Sequence, residues 1–154
     1  MAQRLTAYET LVMPDYGGFD LYDADCDAHD DDSLIPRARA QVAAGNGYEI
    51  LVICAQSRIR VRLQIETWTA QPPLPDEWEG HCDLRMEFPT GQLVISERTR
   101  GAWETTVPTG DHHARLSYRG RETVGRAASS AVLPAELAPY EGTEEYLLQL
   151  WPMA

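Results

Sequence analysis

Lysine is absent from this 154-residue chain; all thirteen basic residues are arginine. That excludes a lysine Schiff base, lysine-tethered pyridoxal phosphate or biotin, and a phosphate-loop lysine. Cysteine is scarce: Cys26, Cys54 and Cys82 are an odd number with no C-x-x-C spacing. Buried or incidental thiols in a reducing compartment are therefore expected in place of a disulfide framework. No stretch approaches the roughly 18 apolar residues that a membrane-spanning helix needs. The opening MAQRLTAYETLVMPDYGG has no basic region followed by an apolar one, as a leader would. The expectation is a soluble, cytoplasmic protein with no membrane partner. Also missing are G-x-S-x-G and a phosphate-cradling glycine loop, because Gly17–Gly18 and Gly45–Asn46–Gly47 are turn glycines outside a strand–loop–helix context.

What the chain has in excess is aspartate. Eight lie between Asp15 and Asp32, and residues 1–32 carry nine acids against Arg4 alone, a net −8. The other 122 residues hold fifteen acids and twelve arginines, a net −3, so most of the total of −11 sits at one end. Such a run cannot bury itself; it must be solvated, bound to a cation or presented to a basic partner. An isoelectric point near 4.7 repels a phosphate backbone, so nucleic acid is not an expected partner.

The metal reading of this run fails on spacing. Asp23, Asp25 and Asp27 alternate as the first three ligands of a calcium loop do. The sixth position is then Ala28 and the twelfth Leu34, where glycine and glutamate are needed. His29, His81, His112 and His113 lack a zinc spacing, and the last two fall at an expected turn. No metal or cofactor is expected. Glu79, Glu87 and Glu97 offer carboxylates for acid–base work, but nothing sets their separation, and no catalytic residue is assigned.

Residues 57–67, SRIRVRLQIET, alternate strictly: Ile59, Val61, Leu63 and Ile65 against Arg58, Arg60, Arg62 and Gln64. That period of two predicts a half-buried strand with an arginine ladder outward. The ladder reads as a solvated face, as a counterweight on which the aspartate segment folds back, or as a site for a phosphate-containing ligand. The apolar run 48–54 predicts a buried strand, paired with the ladder strand in a hairpin through Ala55–Ser57. Further strands are expected at 7–13, 16–23, 82–88, 93–97, 102–107, 114–120 and 144–152, with 82–88 and 93–97 as a second hairpin. QPPLPDEWEG (71–80) is a loop, and Trp68 and Trp78 flank its PPLP segment. One short helix is expected within 32–47, from Pro36 onward, stopped at Gly45 or Gly47. Segment 122–142 is read as a second short helix or coil, and mostly as a long connection because of Pro134 and Pro139. Short strands about ten residues apart predict an all-β, antiparallel two-sheet sandwich of jelly-roll type, as a single domain over residues 1–154.

The stretches GHCDLRMEFPTGQLVISE, TVPTGDHHARLSYRGR and the terminal EEYLLQLWP resemble small bacterial β-sandwich proteins, including the competence-type inhibitor of a DNA-entry nuclease. The resemblance covers residues 80–152, with an echo in YGGFDLYD, and carries no catalytic residues. It implies an acidic β-rich protein that blocks a partner nuclease. Together the readings nominate Asp20, Asp23, Asp25, Asp27, Asp30, Asp31 and Asp32 as a surface for a basic protein partner, a nuclease or toxin. The alternative reading is a metal- or ligand-binding β-sandwich, an enzyme among the options, using the same aspartates and His29.

Overall fold

The computed structural model describes residues 1–26 and 31–153. Among these residues, ten strands lie in two five-stranded sheets. The front sheet runs in the order β1 (Arg4–Val12), β5 (Val61–Trp68), β10 (Glu145–Pro152), β9 (Gly110–Arg119), β6 (Gly80–Phe88). The back sheet runs β3 (Ala43–Gly45), β4 (Glu49–Ile53), β2 (Gly18–Asp23), β7 (Gln92–Ser96), β8 (Ala102–Thr106). The alternation read in the sequence sets the facing of β5: Val61, Leu63, Ile65 and Thr67 are buried and the residues between them are half-buried. Val61, Leu63 and Ile65 meet Phe19, Leu21, Ile50, Val52, Leu93 and Ile95 of the back sheet in one core. Each such side chain removed from water contributes about 1.5–3 kcal/mol.

Three expectations are corrected. First, the sheets are not purely antiparallel: β10 runs parallel to β5, with Tyr146 opposite Leu63 and Leu148 opposite Ile65. Ten strands with a parallel pair depart from an eight-stranded jelly roll. The parallel direction follows from the connection after β5, since residues 69–79 cross the outer face of β10 and β9 before β6 begins. Arg115 of β9 fastens this crossing. Its guanidinium is buried and donates to the carbonyls of Pro72 (3.0 Å) and Pro73 (3.2 Å) and to Gln149 (3.0 Å). Arg119 lies 4.1 Å from the Trp78 ring centre on the same face.

Second, neither expected hairpin forms. β4 is in the back sheet and β5 in the front; β6 is in the front sheet and β7 in the back. A turn that reverses the chain within a sheet and a corner that passes it to the facing sheet use the same residues, so local sequence does not separate them.

Third, the helices differ. α1 spans Leu34–Gln41 and stops there, because Val42 takes a left-handed backbone (φ 80°) and residues 43–45 join the back sheet as β3. A second helix, α2, occupies Arg121–Ser130, at the start of the segment read as a short helix or coil and mostly as connection. Its start depends on Gly120 (φ 77°), where a Cβ would stand 2.1 Å from the Thr143 carbonyl oxygen. His112 and His113, expected at a turn, lie within β9; His112 is buried edge-on to Phe88 at 5.4 Å, and His113 stacks on Trp151 at 5.7 Å.

Burial also sorts the thiols. Cys54 and Cys82 are buried, and loss of water pushes both thiols up, Cys82 to about 11. Cys26 is partly exposed. Alkylation of the native protein at pH 8 is therefore expected to modify Cys26 first, with the other two reacting after denaturation; equal rates at all three would contradict this packing.

Candidate protein-interaction surface

The outer face of the back sheet is half covered. β4 turns Leu51 and Ile53 outward, and Leu34, Ile35 and Ala38 of α1 pack on them with Ala44. The helix stops short of β2 and β7, leaving a groove of about 530 Å³ between it and those strands. Alternation along β2 places Asp20 and Tyr22 on this side, opposite Phe19 and Leu21 in the core. Asp31 and Asp32 enter from the approach to α1, Glu49 from β4, and Tyr16 from the turn before β2. Four carboxylates thus share the groove with two guanidiniums, Arg39 and Arg98.

Each described carboxylate has a definable role. Asp20 accepts from Nε of Arg98 at 3.0 Å. Asp31 accepts from the Ser33 hydroxyl, the Asn46 amide (3.1 Å) and the Ser33 backbone N–H (3.0 Å). These bonds, Ser33 first and then Asn46, hold its carboxyl below the usual aspartate value. Its contribution to stability is therefore complete above the unfolded-chain value and lost as pH falls through the lower folded one, so Asp31 is ionised at neutral pH. Asp32 is exposed, and Glu49 is buried in the floor.

Tyr16 stands apart from these. It is 86% exposed, at φ 53°, in a two-residue turn closed by bonds between Asp15 and Gly18 (2.9 and 3.2 Å). Asp15 is buried beneath it and accepts from the hydroxyl and the N–H of Thr99, with Thr99 the chief cause of its lowered pKa. Arg98 donates to the Asp15 carbonyl at 2.9 Å. An aromatic side chain is thereby held out over the rim of the groove by a pinned turn.

Of the seven nominated aspartates, the structure brings Asp20, Asp31 and Asp32 together in this groove. Asp25 is exposed outside it, and Asp23 is buried at the end of β2, where it holds backbone. Asp27 and Asp30, with His29, lie outside the described residues. Tyr16, Tyr22, Glu49, Arg39 and Arg98 were not nominated. The period of two in GFDLYD would have put Asp20 beside Tyr22, but no local signal joins Glu49 or Arg98 to them.

Among the described residues, the arginine ladder is met by glutamates and backbone carbonyls, and no described aspartate docks on it. Arg58 donates to the carbonyls of Ala128 and Ala131 at the end of α2, at 2.8 and 2.9 Å. Arg60 pairs with Glu141 at 2.8 Å, and Arg62 with Glu9 (3.3 Å) and Glu145 (3.5 Å). The described aspartates that find arginines, Asp15 and Asp20, find Arg100 and Arg98 of the β7–β8 connection. Among the described residues, no three histidine, cysteine or acidic side chains gather as a metal site would require, and no helix is long and apolar enough to cross a membrane.

No protein-family model matches the chain, and no curated protein matches it in sequence. Solved structures do. ComJ of Bacillus subtilis, the inhibitor of the DNA-degrading activity of NucA, superposes with a TM-score of 0.62 at 13% identity, over 99% of both chains. The chain has the ComJ fold. The product of crocagin biosynthetic gene J superposes with a TM-score of 0.60 at 13% identity, over 100% of this chain and 99% of the other. At this identity the likeness is one of backbone, and the same fold is shared by both proteins.

Proposed function

We propose that the chain is a non-catalytic acidic interaction protein, of the inhibitor or immunity kind, that receives a basic protein partner such as a nuclease on the α1–β2 groove. One observation carries the reading: carboxylates from β2, β4 and the approach to α1 converge on one groove, in a fold shared end to end with ComJ, which inhibits a nuclease. Carboxylates spaced over a groove stand in for the phosphates that a nuclease cleft binds, and the protruding Tyr16 supplies a rigid aromatic anchor. Asp32 and Asp25 add long-range attraction, which raises the association rate more than it slows dissociation.

The test is inhibition of DNA cleavage by NucA, read as a function of salt. Wild type is expected to lose affinity as ionic strength rises, because exposed charges are screened beyond about 8 Å at physiological salt. Asp20→Asn with Asp32→Asn is expected to weaken inhibition about tenfold or more at low salt, and Tyr16→Ala by a similar factor that does not change with salt. Inhibition that ignores both salt and these substitutions would defeat the reading.

A further inference from the structure

The edges of the two sheets are treated differently. On one side the molecule is sealed: Gly47 bridges to Met86, the Glu87 N–H donates to the Gly47 carbonyl at 2.8 Å, and the Cys82 thiol reaches the Ala43 carbonyl at 3.8 Å. On the other side lie β8, five residues long, and β1, nine residues long. Natural edge strands are guarded by lysine, proline or bulges. β1 has neither lysine nor proline, and its one register shift falls between Arg4 and Thr6.

The ladder shows which backbone groups are open. Arg62 N–H donates to Glu144 on the β10 side, so Val61, Leu63, Ile65 and Thr67 turn their N–H and C=O groups toward β1. Their partners are Val12, Thr10, Tyr8 and Thr6. Ala7, Glu9 and Leu11 therefore point theirs away from the molecule. The next outward group, the Met13 N–H, is closed by Glu97 at 2.6 Å. Among the described residues, the charges of β1 are paired, Glu9 with Arg62 and Arg4 with Glu66, both at 3.3 Å. Leu5, beside it, is 55% exposed.

The open stretch reads Leu5-Thr6-Ala7-Tyr8-Glu9-Thr10-Leu11, a near-palindrome about Tyr8. A two-fold axis through Tyr8 sets Leu5 opposite Leu11, Thr6 opposite Thr10 and Tyr8 opposite its own copy. It also makes Ala7 and Glu9, both outward-pointing, the pair that exchanges backbone bonds. Leucine, threonine and tyrosine thus meet their own kind, and Glu9 faces Ala7 and not a second charge, which suits a self-complementary interface. We propose that β1 is a homodimerisation edge, pairing antiparallel with β1 of a second copy to join the two front sheets into one. The proposal is independent of the acidic groove, which lies on the other sheet.

Sedimentation and light scattering test it. The 17.3 kDa chain is expected to approach twice that mass by a concentration of about 100 µM, since a single edge pairing is small and its affinity micromolar. Each chain carries −11, so dimerisation should hold or strengthen as salt rises, opposite in sign to partner binding. Ala7→Pro and Glu9→Pro each remove an outward N–H that β5 does not use, and each should give a folded monomer by circular dichroism. A wild type that stays monomeric overturns the proposal. So does a dimer that survives either proline, or one that dissociates as salt is added.

Discussion

Glu144→Ala is expected to lower the unfolding free energy by about 3–5 kcal/mol, the range for breaking a buried charged network from one side. Glu144 is 1% exposed and lies between the sheets just before β10. Its carboxylate accepts from the Ala55 N–H at 2.7 Å, from the Gln56 amide at 3.1 Å and from the Tyr146 hydroxyl. Arg121, at the start of α2, comes within 3.9 Å and donates to the Tyr146 oxygen (2.7 Å) and the Ile53 carbonyl (2.6 Å). One side chain therefore ties the β4–β5 corner, the root of α2 and the first turn of β10. Alanine would leave a guanidinium, a phenol and an amide N–H facing one another without their acceptor. Burial pushes the Tyr146 phenol well up, so it cannot ionise to compensate. Glu144→Gln keeps one acceptor oxygen but turns an amide donor toward the Gln56 amide, whose own oxygen is held by the Arg58 and Ile59 N–H groups. About half the loss is expected there. Urea denaturation with an unchanged m-value checks both, and a loss below about 1 kcal/mol for alanine would show that water replaces the carboxylate.

Asp23→Ala is the second large effect, about 2–3 kcal/mol, and it bears directly on how the acidic surface is presented. Asp23 is 1% exposed and accepts from the Thr90 and Gly91 N–H groups, both at 3.1 Å, from the Thr90 hydroxyl at 2.8 Å and from the Asp25 N–H at 2.9 Å. It thus joins the end of β2 to the corner between β6 and β7, and fixes the direction in which residues 24–26 leave the sheet. Asparagine retains one oxygen and should cost about 1 kcal/mol. In a binding assay Asp23→Ala would weaken the partner complex without Asp23 touching the partner, whereas Asp32→Asn should weaken binding with the melting temperature unchanged. Finding both losses at an unchanged melting temperature would place Asp23 in the contact itself and contradict its burial.

These two residues show where reading the sequence reaches its limit. Asp23 sits in the most conspicuous run of the chain, and from composition it is indistinguishable from Asp20 or Asp32. A carboxylate that binds the molecule's own amides and one that meets solvent differ only in which face of β2 they occupy and what lies opposite. Nothing local sets Glu144 apart, since one glutamate of the pair opening EEYLLQLWP carries no periodic signal. The arginine ladder was legible as a strand face, yet its counter-charges come from Glu9, Glu141 and Glu145, more than fifty residues away in either direction.

Patterning alone determined that the chain is built of half-buried strands, that its charge is lopsided, and that lysine chemistry is excluded; these follow from periods and counts within a few residues. The tertiary structure decided which strands face each other, that β10 runs parallel to β5, and that Asp20, Asp31, Asp32 and Glu49 share one groove with Tyr16. The physical reason is range. Alternation records that a strand has one apolar face, but corners and hairpins look alike locally, and the choice between them is made by how two whole faces pack.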